Sequence, residues 1–430
     1  MVAQAEILSS PVVAEITSQK EIPEEKPLAD SPYSCQWFVD TLTAKDPNFV
    51  ELRRNHRVLN VNAVNISGGK GFISKVYKCE VELEGVEREY EIILKVPGMD
   101  AIESVKDNIK HDGEETKDEE EKKVAHFAAF HNKECSFYEN YAAGIEGFPL
   151  VKMFDTHRWI VDETRGYLLM ESMVGKADTQ SIFSGFTKSQ ALKIGTHLAH
   201  FHKHFLTMED KSWEKQFPLE LFQDDAAFDF IGALLKKLVA MKPEVFEDRI
   251  NHVLEFSNTR KFHDYTSHSI YQEIGLPAVL VHGDLWCNNI MWKNDSEEVA
   301  AFIDFQLTHT GSPAFDIARV LVLCADGDIR REHAHAVLEH YFSTLTELMA
   351  KEGKPVGFTM DQLERAYNVH LVNQTIHLLF MVPFFCCGDH DEKMKPVWEA
   401  RTEKMMMRAL FALDDALEIL KTIPEEKYKP

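Results

Sequence analysis

Alternating hydrophobic and polar positions mark the first part of the chain. Residues 76–83 and 90–96 place apolar side chains at alternate positions or in short blocks, and each run is followed by a glycine-containing turn. This pattern is typical of β-strands bounded by turns. Strand-like segments return at residues 150–155 and 166–171. The pattern therefore predicts a small sheet in this part of the chain.

Apolar residues at helical spacing dominate the rest of the chain. They occur after residue 32, again after residue 123, and then through most of the sequence beyond Lys176. Residues 1–32 are rich in Glu, Pro, Ser and Ala, which is typical of a disordered or extended N-terminal arm. We therefore predict an α+β protein with an arm over residues 1–32, a β-rich part over residues 33–172 and a helical part over residues 173–430.

Charge and composition narrow the possible partners. The chain has 47 Lys and Arg against 70 Asp and Glu, a formal net charge of −23, which argues against nucleic acid or an anionic membrane as the main partner. No apolar run reaches transmembrane length, and the N-terminus lacks the basic start and apolar core of a signal peptide. The seven cysteines have no regular spacing, which favours reduced thiols. We therefore expect a cytoplasmic protein without a membrane span.

Two short stretches carry polar side chains at the edges of apolar, strand-like runs. They read V-L-V-H-G-D-L-W-C-N-N-I-M-W at residues 279–292 and A-F-I-D-F-Q at residues 301–306, and they supply Asp284, Asn289 and Asp304. Phosphoryl transfer of the protein-kinase type uses such a set. One Asp accepts the proton of the acceptor hydroxyl, while an Asn and a second Asp hold magnesium. The alternative is a buried His-Asp turn beside an unrelated hairpin.

The D-x-x-x-x-N spacing matches the kinase catalytic loop, and D-F-Q stands where protein kinases have D-F-G. The chain resembles the small-molecule phosphotransferases of the choline kinase and aminoglycoside phosphotransferase group, and H-G-D-L-W-x-N-N-I-M is most similar to the ecdysteroid kinase-like (CHK-kinase-like) branch. The resemblance implies a protein-kinase-like bilobal fold with a small β-rich N-lobe and a larger, mainly helical C-lobe. It also implies ATP and Mg2+ as cofactors, Asp284 as the catalytic residue, and Asn289 and Asp304 as metal ligands.

A glycine-rich segment lies between two predicted strands. It contains Ser67, Gly68, Gly69 and Gly71, which we predict to bind phosphate, because glycines let backbone N–H groups approach phosphate oxygens. Taken alone, the segment is explained as well by a Gly-Gly hairpin turn. Its position two strands before a suitable lysine favours the phosphate-binding interpretation.

That lysine is Lys95, which ends the strand I-I-L-K as the phosphate-binding lysine ends V-A-I-K in kinases. By itself it could be an ordinary strand-end lysine that reaches solvent. The helix after the charged block at residues 112–123 offers Glu134 and Glu139 as ion partners. Glu134 matches the family's E-x-x-F-Y pattern, so we predict a Lys95–Glu134 pair that orients the lysine toward phosphates.

Residues 167–173, Y-L-L-M-E-S-M, resemble the linker between kinase lobes, whose backbone reads the adenine edge. The resemblance implies Glu171 and Met173 as nucleotide-contacting residues. Further along the chain, His282 is expected to brace the loop through hydrogen bonds. Asp316, in a segment that resembles the family's G-x-P-x-x-D-I-A, is expected to anchor the same loop by capping a helix or bonding backbone N–H groups.

Four histidines crowd residues 192–205, namely His197, His200, His202 and His204. We interpret them as spread around one helix, with His202 packed in the core, and not as a metal cluster.

The acceptor is the least defined part of the prediction. The apolar segment at residues 377–387 is either core or the wall of a pocket for a hydrophobic alcohol. The motifs predict an ATP- and Mg2+-dependent kinase whose partner is a small hydroxylated molecule, and the family resemblance implies that this molecule is either sterol-like or a xenobiotic alcohol. The alternatives are a choline- or ethanolamine-type kinase and a nucleotide-binding pseudokinase or interaction module. A protein kinase is disfavoured by Gly283 in place of the H-R-D arginine and by the missing A-P-E motif.

Overall fold

The computed structural model describes residues 22–23, 25–67, 74–98, 117–219, 225–257, 259–388 and 391–430. The chain divides into two compact units. The first unit comprises Met1–Ala143 and Val151–Val174, and the second comprises Gly144–Leu150 and Gly175–Pro430. The main change of unit therefore follows Val174, close to the boundary that we predicted after residue 172.

Five antiparallel strands form the sheet of the first unit. They are β1 (Val58–Asn65), β2 (Ser74–Leu83), β3 (Tyr90–Pro97), β4 (Met153–His157) and β5 (Tyr167–Glu171). Their order in the sheet is β1-β2-β3-β5-β4. Alternate residues of β2 are buried, because successive side chains of a strand point to opposite faces. All the predicted strands are present, although β4 begins later than expected.

Three helices accompany this sheet, namely α1 (Cys35–Lys45), α2 (Pro47–Arg53) and α3 (Lys117–Asn140). Helix α1 begins after Ser34, whose hydroxyl accepts a hydrogen bond from the backbone N–H of Trp37. Ile22 and Leu28 are buried in the same hydrophobic core as α1 and the sheet. Packing thus includes residues of the segment that we predicted as an arm, while residues 1–21 and Glu24 lie outside the described residues.

The second unit is mainly helical. Its helices are α4 (Lys188–Thr207), α5 (Trp213–Gln216), α6 (Asp225–Met241), α7 (Pro243–Leu254), α8 (Arg260–His263), α9 (Ile270–Ile274), α10 (Phe315–Cys324), α11 (Gly327–Lys351), α12 (Met360–Cys386) and α13 (Lys395–Leu420). A π-helical segment, Asp264–Ser269, joins α8 to α9. Helices α4 and α12 both begin with a capping box, Thr187 with Gln190 and Thr359 with Gln362.

Two small antiparallel sheets carry the polar motifs of this unit. One contains β6 (Ala177–Thr179), β8 (Ile290–Lys293) and β9 (Val299–Phe302), and the other pairs β7 (Val279–Val281) with β10 (His309–Gly311). Val279 and Val281 are fully buried and pack with Phe315 at the start of α10. This packing fixes the point at which the chain leaves β7 and enters the loop that contains Asp284.

The predicted α+β, protein-kinase-like fold is confirmed. A five-stranded antiparallel sheet with one long helix inserted between its third and fourth strands precedes a mainly helical unit. Helix α12 is long and apolar enough by composition to cross a membrane, yet 83% of its apolar window is buried inside the protein. A core helix of a globular protein passes the same test.

Candidate functional site

Lys95 and Glu134 form an ion pair inside the first unit. The lysine Nζ lies 2.6 Å from the glutamate Oε2, and the two residues are 7% and 1% exposed. Strand β3 supplies Lys95 from a central position of the sheet, paired with Val76 on one side and Leu168 on the other. The alternative partner, Glu139, binds Arg158 and Thr156 instead. Lys95 is therefore not an exposed strand-end lysine.

The glycine-rich segment is described only at its edge. Ser67 accepts a hydrogen bond from the backbone N–H of Val76 at 2.8 Å, and its own N–H donates to Asn65 Oδ1. This connects the end of β1 to β2 at the base of the segment. Gly68, Gly69 and Gly71 lie outside the described residues, so their predicted contact with phosphate stays a prediction.

Glu171 and Met173 stand at the end of β5. The Glu171 carboxylate accepts a hydrogen bond from the backbone N–H of Lys152 at 2.7 Å, and the Glu171 N–H donates to the Lys152 carbonyl. The Glu171 side chain thus ties the end of β5 to the residue before β4 within the first unit. Met173 follows as a half-buried residue. Their role toward adenine stays a prediction.

In the second unit, His282 and Asp316 hold the loop after β7. Both carboxylate oxygens of Asp316 accept backbone N–H groups, those of His282 at 2.7 Å and Gly283 at 3.1 Å. The His282 ring donates from Nε2 to the Ile303 carbonyl and accepts at Nδ1 from the Asp284 N–H. Burial lowers the pKa of His282, which fits this neutral tautomer. Both residues thus act as the sequence suggested, through hydrogen bonds to backbone.

Both carboxylate oxygens of Asp284 accept hydrogen bonds. Arg319 Nη2 lies 2.5 Å from Oδ1, and Asn289 Nδ2 lies 3.0 Å from Oδ2 and 2.8 Å from the Asp284 carbonyl. Burial raises the pKa of Asp284, whereas the Arg319 guanidinium lowers it. The carboxylate is partly buried and oriented by two donors, as a group that accepts a proton from a bound hydroxyl requires.

Asn289 and Asp304 are brought together by the backbone. The Ile303 N–H donates to the Asn289 carbonyl at 3.1 Å, directly before Asp304. Asp304 adopts a left-handed conformation with φ of +71° at the start of a 3-10 turn, Phe305–Leu307. Since the Asn289 amide nitrogen is committed to Asp284, its side-chain oxygen is the atom that remains for a cation. An oxygen-only pair suits a hard cation such as Mg2+.

A metal site built from protein side chains alone is not found among the described ranges. No group of three or more His, Cys, Asp or Glu side chains there could hold a metal ion. Magnesium in phosphotransfer sites is usually held by one or two protein ligands together with phosphate oxygens and water. The Asn289–Asp304 pair fits that pattern.

Arg319 was missed by reasoning from the sequence. It lies one turn after Asp316 on α10 and contacts Asp284 at one end and Gln374 and His377 of α12 at the other. The only available signal was the arginine in D-I-A-R, three positions beyond a predicted loop anchor on a helix. Nothing in the local sequence connects it to α12.

The apolar segment 377–387 has two parts in the structure. Residues 378, 379 and 381–383 are buried in α12, whereas Phe384 and Phe385 are half-buried at its end. Phe385 packs against Trp286, which follows Asp284 by two residues, with ring centroids 5.9 Å apart. The first part is core, and the second part places aromatic surface near the Asp284 loop.

Comparison with known proteins gives matches over most of the chain. The profile of the DUF1679 family, described as "Uncharacterized oxidoreductase dhs-27", matches residues 58–422. The Caenorhabditis elegans protein "Uncharacterized oxidoreductase dhs-27" is 23% identical over 84% of this chain, which spans only 43% of that protein. "Uncharacterized kinase-like protein D1044.1" of the same organism is 24% identical over 85% of this chain and 96% of its own length. Among solved structures, Plasmodium vivax ethanolamine kinase Pv091845 has a TM-score of 0.40 and 15% identity, covering 93% of this chain and 96% of its own.

Proposed function

This chain belongs to the DUF1679 family, and we propose that it transfers the γ-phosphoryl group of ATP to a hydroxyl group of a small molecule. The observation that carries the proposal is that Arg319 and Asn289 each donate a hydrogen bond to one carboxylate oxygen of Asp284. Asp304 is connected to the same loop, because the N–H of the preceding Ile303 donates to the Asn289 carbonyl. In this reaction the acceptor oxygen attacks the γ-phosphorus, ADP leaves, and the acceptor proton passes to Asp284.

The proposal gives ATP and Mg2+ separate groups of the protein. The buried Lys95, oriented by Glu134, is the proposed phosphate-binding cation. Asn289 and Asp304 are the proposed ligands of magnesium, which, when bound, neutralises charge on the phosphate oxygens. In a protein of net charge −23, a cation at the phosphates also offsets the repulsion of the ATP anion.

For the acceptor, we propose a hydrophobic alcohol, as the likeness to the ecdysteroid kinase-like branch suggests. The half-buried Phe384 and Phe385 and the neighbouring Trp286 support this choice. Apolar burial contributes about 25 cal/mol per Å², whereas exposed charges are screened beyond about 8 Å at physiological salt. The diffuse acidic charge of the protein would favour a choline-like cation as the acceptor. Burial of a few hundred Å² of apolar surface contributes more binding free energy than this screened charge, so it favours an apolar acceptor.

The word oxidoreductase in the name of one relative is not carried over to this chain. That relative is more than twice as long as the part that this chain matches. Dinucleotide-binding oxidoreductase domains of the Rossmann type are built on a parallel sheet. Every strand-to-strand ladder in the described part of this chain is antiparallel.

The test is a transfer assay of the purified protein with γ-labelled ATP, Mg2+ and a panel of hydroxylated metabolites that includes sterols, aromatic alcohols, choline and ethanolamine. We expect labelled product with an apolar alcohol. Replacing Asp284 by Asn should lower kcat by about 10²–10⁴-fold while ATP affinity stays within about twofold.

Three outcomes would separate the rival functions. Nucleotide binding without transfer to any member of the panel would indicate a pseudokinase. Labelling of proteins in place of metabolites would indicate a protein kinase. A best acceptor that is a cation, with an affinity that collapses on addition of salt, would keep the transfer reaction and overturn the choice of a hydrophobic alcohol.

A further inference from the structure

The Arg319 guanidinium bridges the Asp284 loop and helix α12. Its Nη2 lies 2.5 Å from Asp284 Oδ1, while its Nη1 donates to Gln374 Oε1 at 2.8 Å and to His377 Nδ1 at 3.2 Å. Arg319 is 7% exposed. A guanidinium is a rigid plane with its donors in a fixed fork, so anchoring one edge on α12 fixes the direction of the other edge.

The anchor on α12 is itself supported by a buried polar network. Gln374 donates to Asn373 Oδ1 at 3.0 Å, and Asn373 donates to Thr266 Oγ1 at 3.0 Å in the π-helical segment. Gln374, Asn373 and Thr266 are at most 1% exposed. Such a network rigidifies its members, because breaking any one bond would leave a buried polar group unpaired.

We propose that Arg319 is a positioning residue, locked by Gln374 and His377 of α12, that holds the Asp284 carboxylate in the one orientation in which it accepts the acceptor proton. This inference rests on the proposed phosphotransfer function. Asn289 secures the second carboxylate oxygen, so the side chain is held from both sides. Each carboxylate oxygen has a further lone pair for the acceptor hydroxyl.

The surroundings of Arg319 distinguish positioning from direct contact with the acceptor. Its Nε is buried without a hydrogen-bond partner in the described part of the chain. Arg319 is also one of the residues that line a cavity of about 30 Å³. Gly283, Leu307 and His263 also line this cavity. That volume accommodates about one water molecule. The described residues around Arg319 therefore leave room for water and not for a sterol-sized acceptor.

The experiment compares three variants by steady-state kinetics, with binding of a fluorescent ATP analogue and thermal unfolding measured in parallel. Arg319→Lys keeps the charge but cannot bridge Asp284 and α12 together. Gln374→Met has a similar length and removes one of the two α12 acceptors of Arg319, while His377 Nδ1 and the Arg319–Asp284 pair remain. Arg330→Lys is the matched control, because Arg330 is equally buried and pairs with Asp415 at 2.6 Å elsewhere in the second unit.

We expect kcat to fall at least about tenfold in R319K and by a smaller factor in Q374M, since small misplacement of a reacting group is costly. KM for both substrates and ATP affinity should stay within about threefold in both variants, and R330K should keep the kcat of wild type. An unchanged kcat in folded R319K would overturn the proposal, as would a loss of kcat matched by an equal loss in R330K. If R319K does not fold, an unchanged kcat in Q374M overturns it. A wild-type protein that transfers phosphate to nothing refutes the proposed function itself.

Discussion

At the scale of single residues, the Lys95–Glu134 pair differs from most ion pairs among the described residues because both partners are buried. Removing one partner of a buried pair leaves the other charge without compensation in a poorly solvated place. Glu139 offers a direct comparison on the same helix, since it pairs with Arg158 at 2.7 Å with both side chains substantially exposed.

We predict that Glu134→Gln lowers the free energy of unfolding by about 3 kcal/mol, whereas Glu139→Gln lowers it by at most about 1 kcal/mol. The difference follows from burial and not from the distance between the charges. Urea denaturation of both variants measures it. Equal losses in the two variants would show that the Lys95 ammonium is well solvated.

Asp304 is expected to act through the metal. Asp304→Ala should weaken binding of Mg2+-ATP by at least about tenfold and leave metal-free ATP binding nearly unchanged, because the carboxylate is a proposed ligand of the ion. Calorimetric titrations with Mg2+ and with EDTA measure the two affinities. Asp295→Ala is the matched control, since Asp295 also has a positive φ but is exposed in a turn. Equal weakening with and without Mg2+ would make the role of Asp304 structural.

The candidate site residues could be chosen from the sequence, whereas the residues that contact them could be predicted only in part. Asp284, Asn289 and Asp304 occur in two short motifs whose spacing alone suggests chemistry. Choosing Glu134 over Glu139 depended on a family pattern, because both lie on one helix. Arg319 reaches Asp284 across 35 positions of sequence through the packing of α10. No local pattern reports such a contact.

At the scale of elements, the turn between β7 and the Asp284 loop depends on Gly283. Its φ is +83°, and a Cβ there would lie 2.0 Å from the carbonyl oxygen of Leu307. Gly175 has a similar φ of +73° but nothing within 4 Å of the same position. An alanine at Gly175 would therefore be strained only by its backbone conformation, whereas an alanine at Gly283 would also collide with a neighbour.

We predict that Gly175→Ala costs about 1–2 kcal/mol of stability, the strain of a left-handed alanine. Gly283→Ala should cost more, because the Leu307 backbone must also move and the hydrogen bond that the Gly283 N–H donates to Asp316 weakens. Chemical denaturation gives both values. If the two variants lose the same stability, the close approach to Leu307 is relieved without cost.

Helix α4 corrects one sequence-based interpretation. His202 is buried and bonds the Tyr341 hydroxyl at 2.7 Å, as its place on the apolar face suggested. The other three histidines are not spread around the helix. His197 binds the Gly147 carbonyl, and the rings of His200 and His204 lie against Gly147 and Gly144. Spacings of three and four residues place these three on one face, and that face packs on the segment 144–147.

At the scale of the whole molecule, we expect four of the buried histidines in the described part of the chain to make the fold sensitive to acid. Burial lowers the pKa of His131, His263 and His370 to about 4 and that of His202 to about 3. In the unfolded chain a histidine titrates near about 6.5. Between these values the unfolded chain binds protons that the folded chain does not, so stability falls as pH is lowered from about 6.5 toward 4.

Each of these histidines should contribute about 1.4 kcal/mol per pH unit to the slope of the free energy of unfolding against pH. We expect the free energy of unfolding to drop steeply between pH 6.5 and pH 5, and His370→Gln to reduce the slope by one such increment. Urea denaturation across this range measures it. His252→Gln, at an exposed position, is the matched control. A flat profile in wild type would mean that these rings take up protons inside the folded protein.

The order of strands and helices was largely predictable because period-two and helical patterns are strong over long stretches. The sequence did not allow us to predict to which of the two units a short segment belongs. The prediction placed residues 33–172 in one part, yet Gly144–Leu150 belongs to the second unit. Phe148 stacks on Phe302 at 4.2 Å and on Phe201 at 4.5 Å, contacts with residues far along the chain. A single aromatic residue in a loop belongs to no periodic pattern, so the sequence does not predict the residues against which it packs.

That short segment also has a consequence for how the protein can be dissected. The chain passes from one unit to the other three times, after Ala143, Leu150 and Val174. A fragment that begins at Gly175 would lack Phe148, and with it the Pro149 carbonyl that accepts the Phe302 N–H at 2.9 Å. No single cut therefore separates two complete modules. A gene rearrangement that joins this fold intact to a longer polypeptide has to move both units together, and the family match from residue 58 to residue 422 spans both.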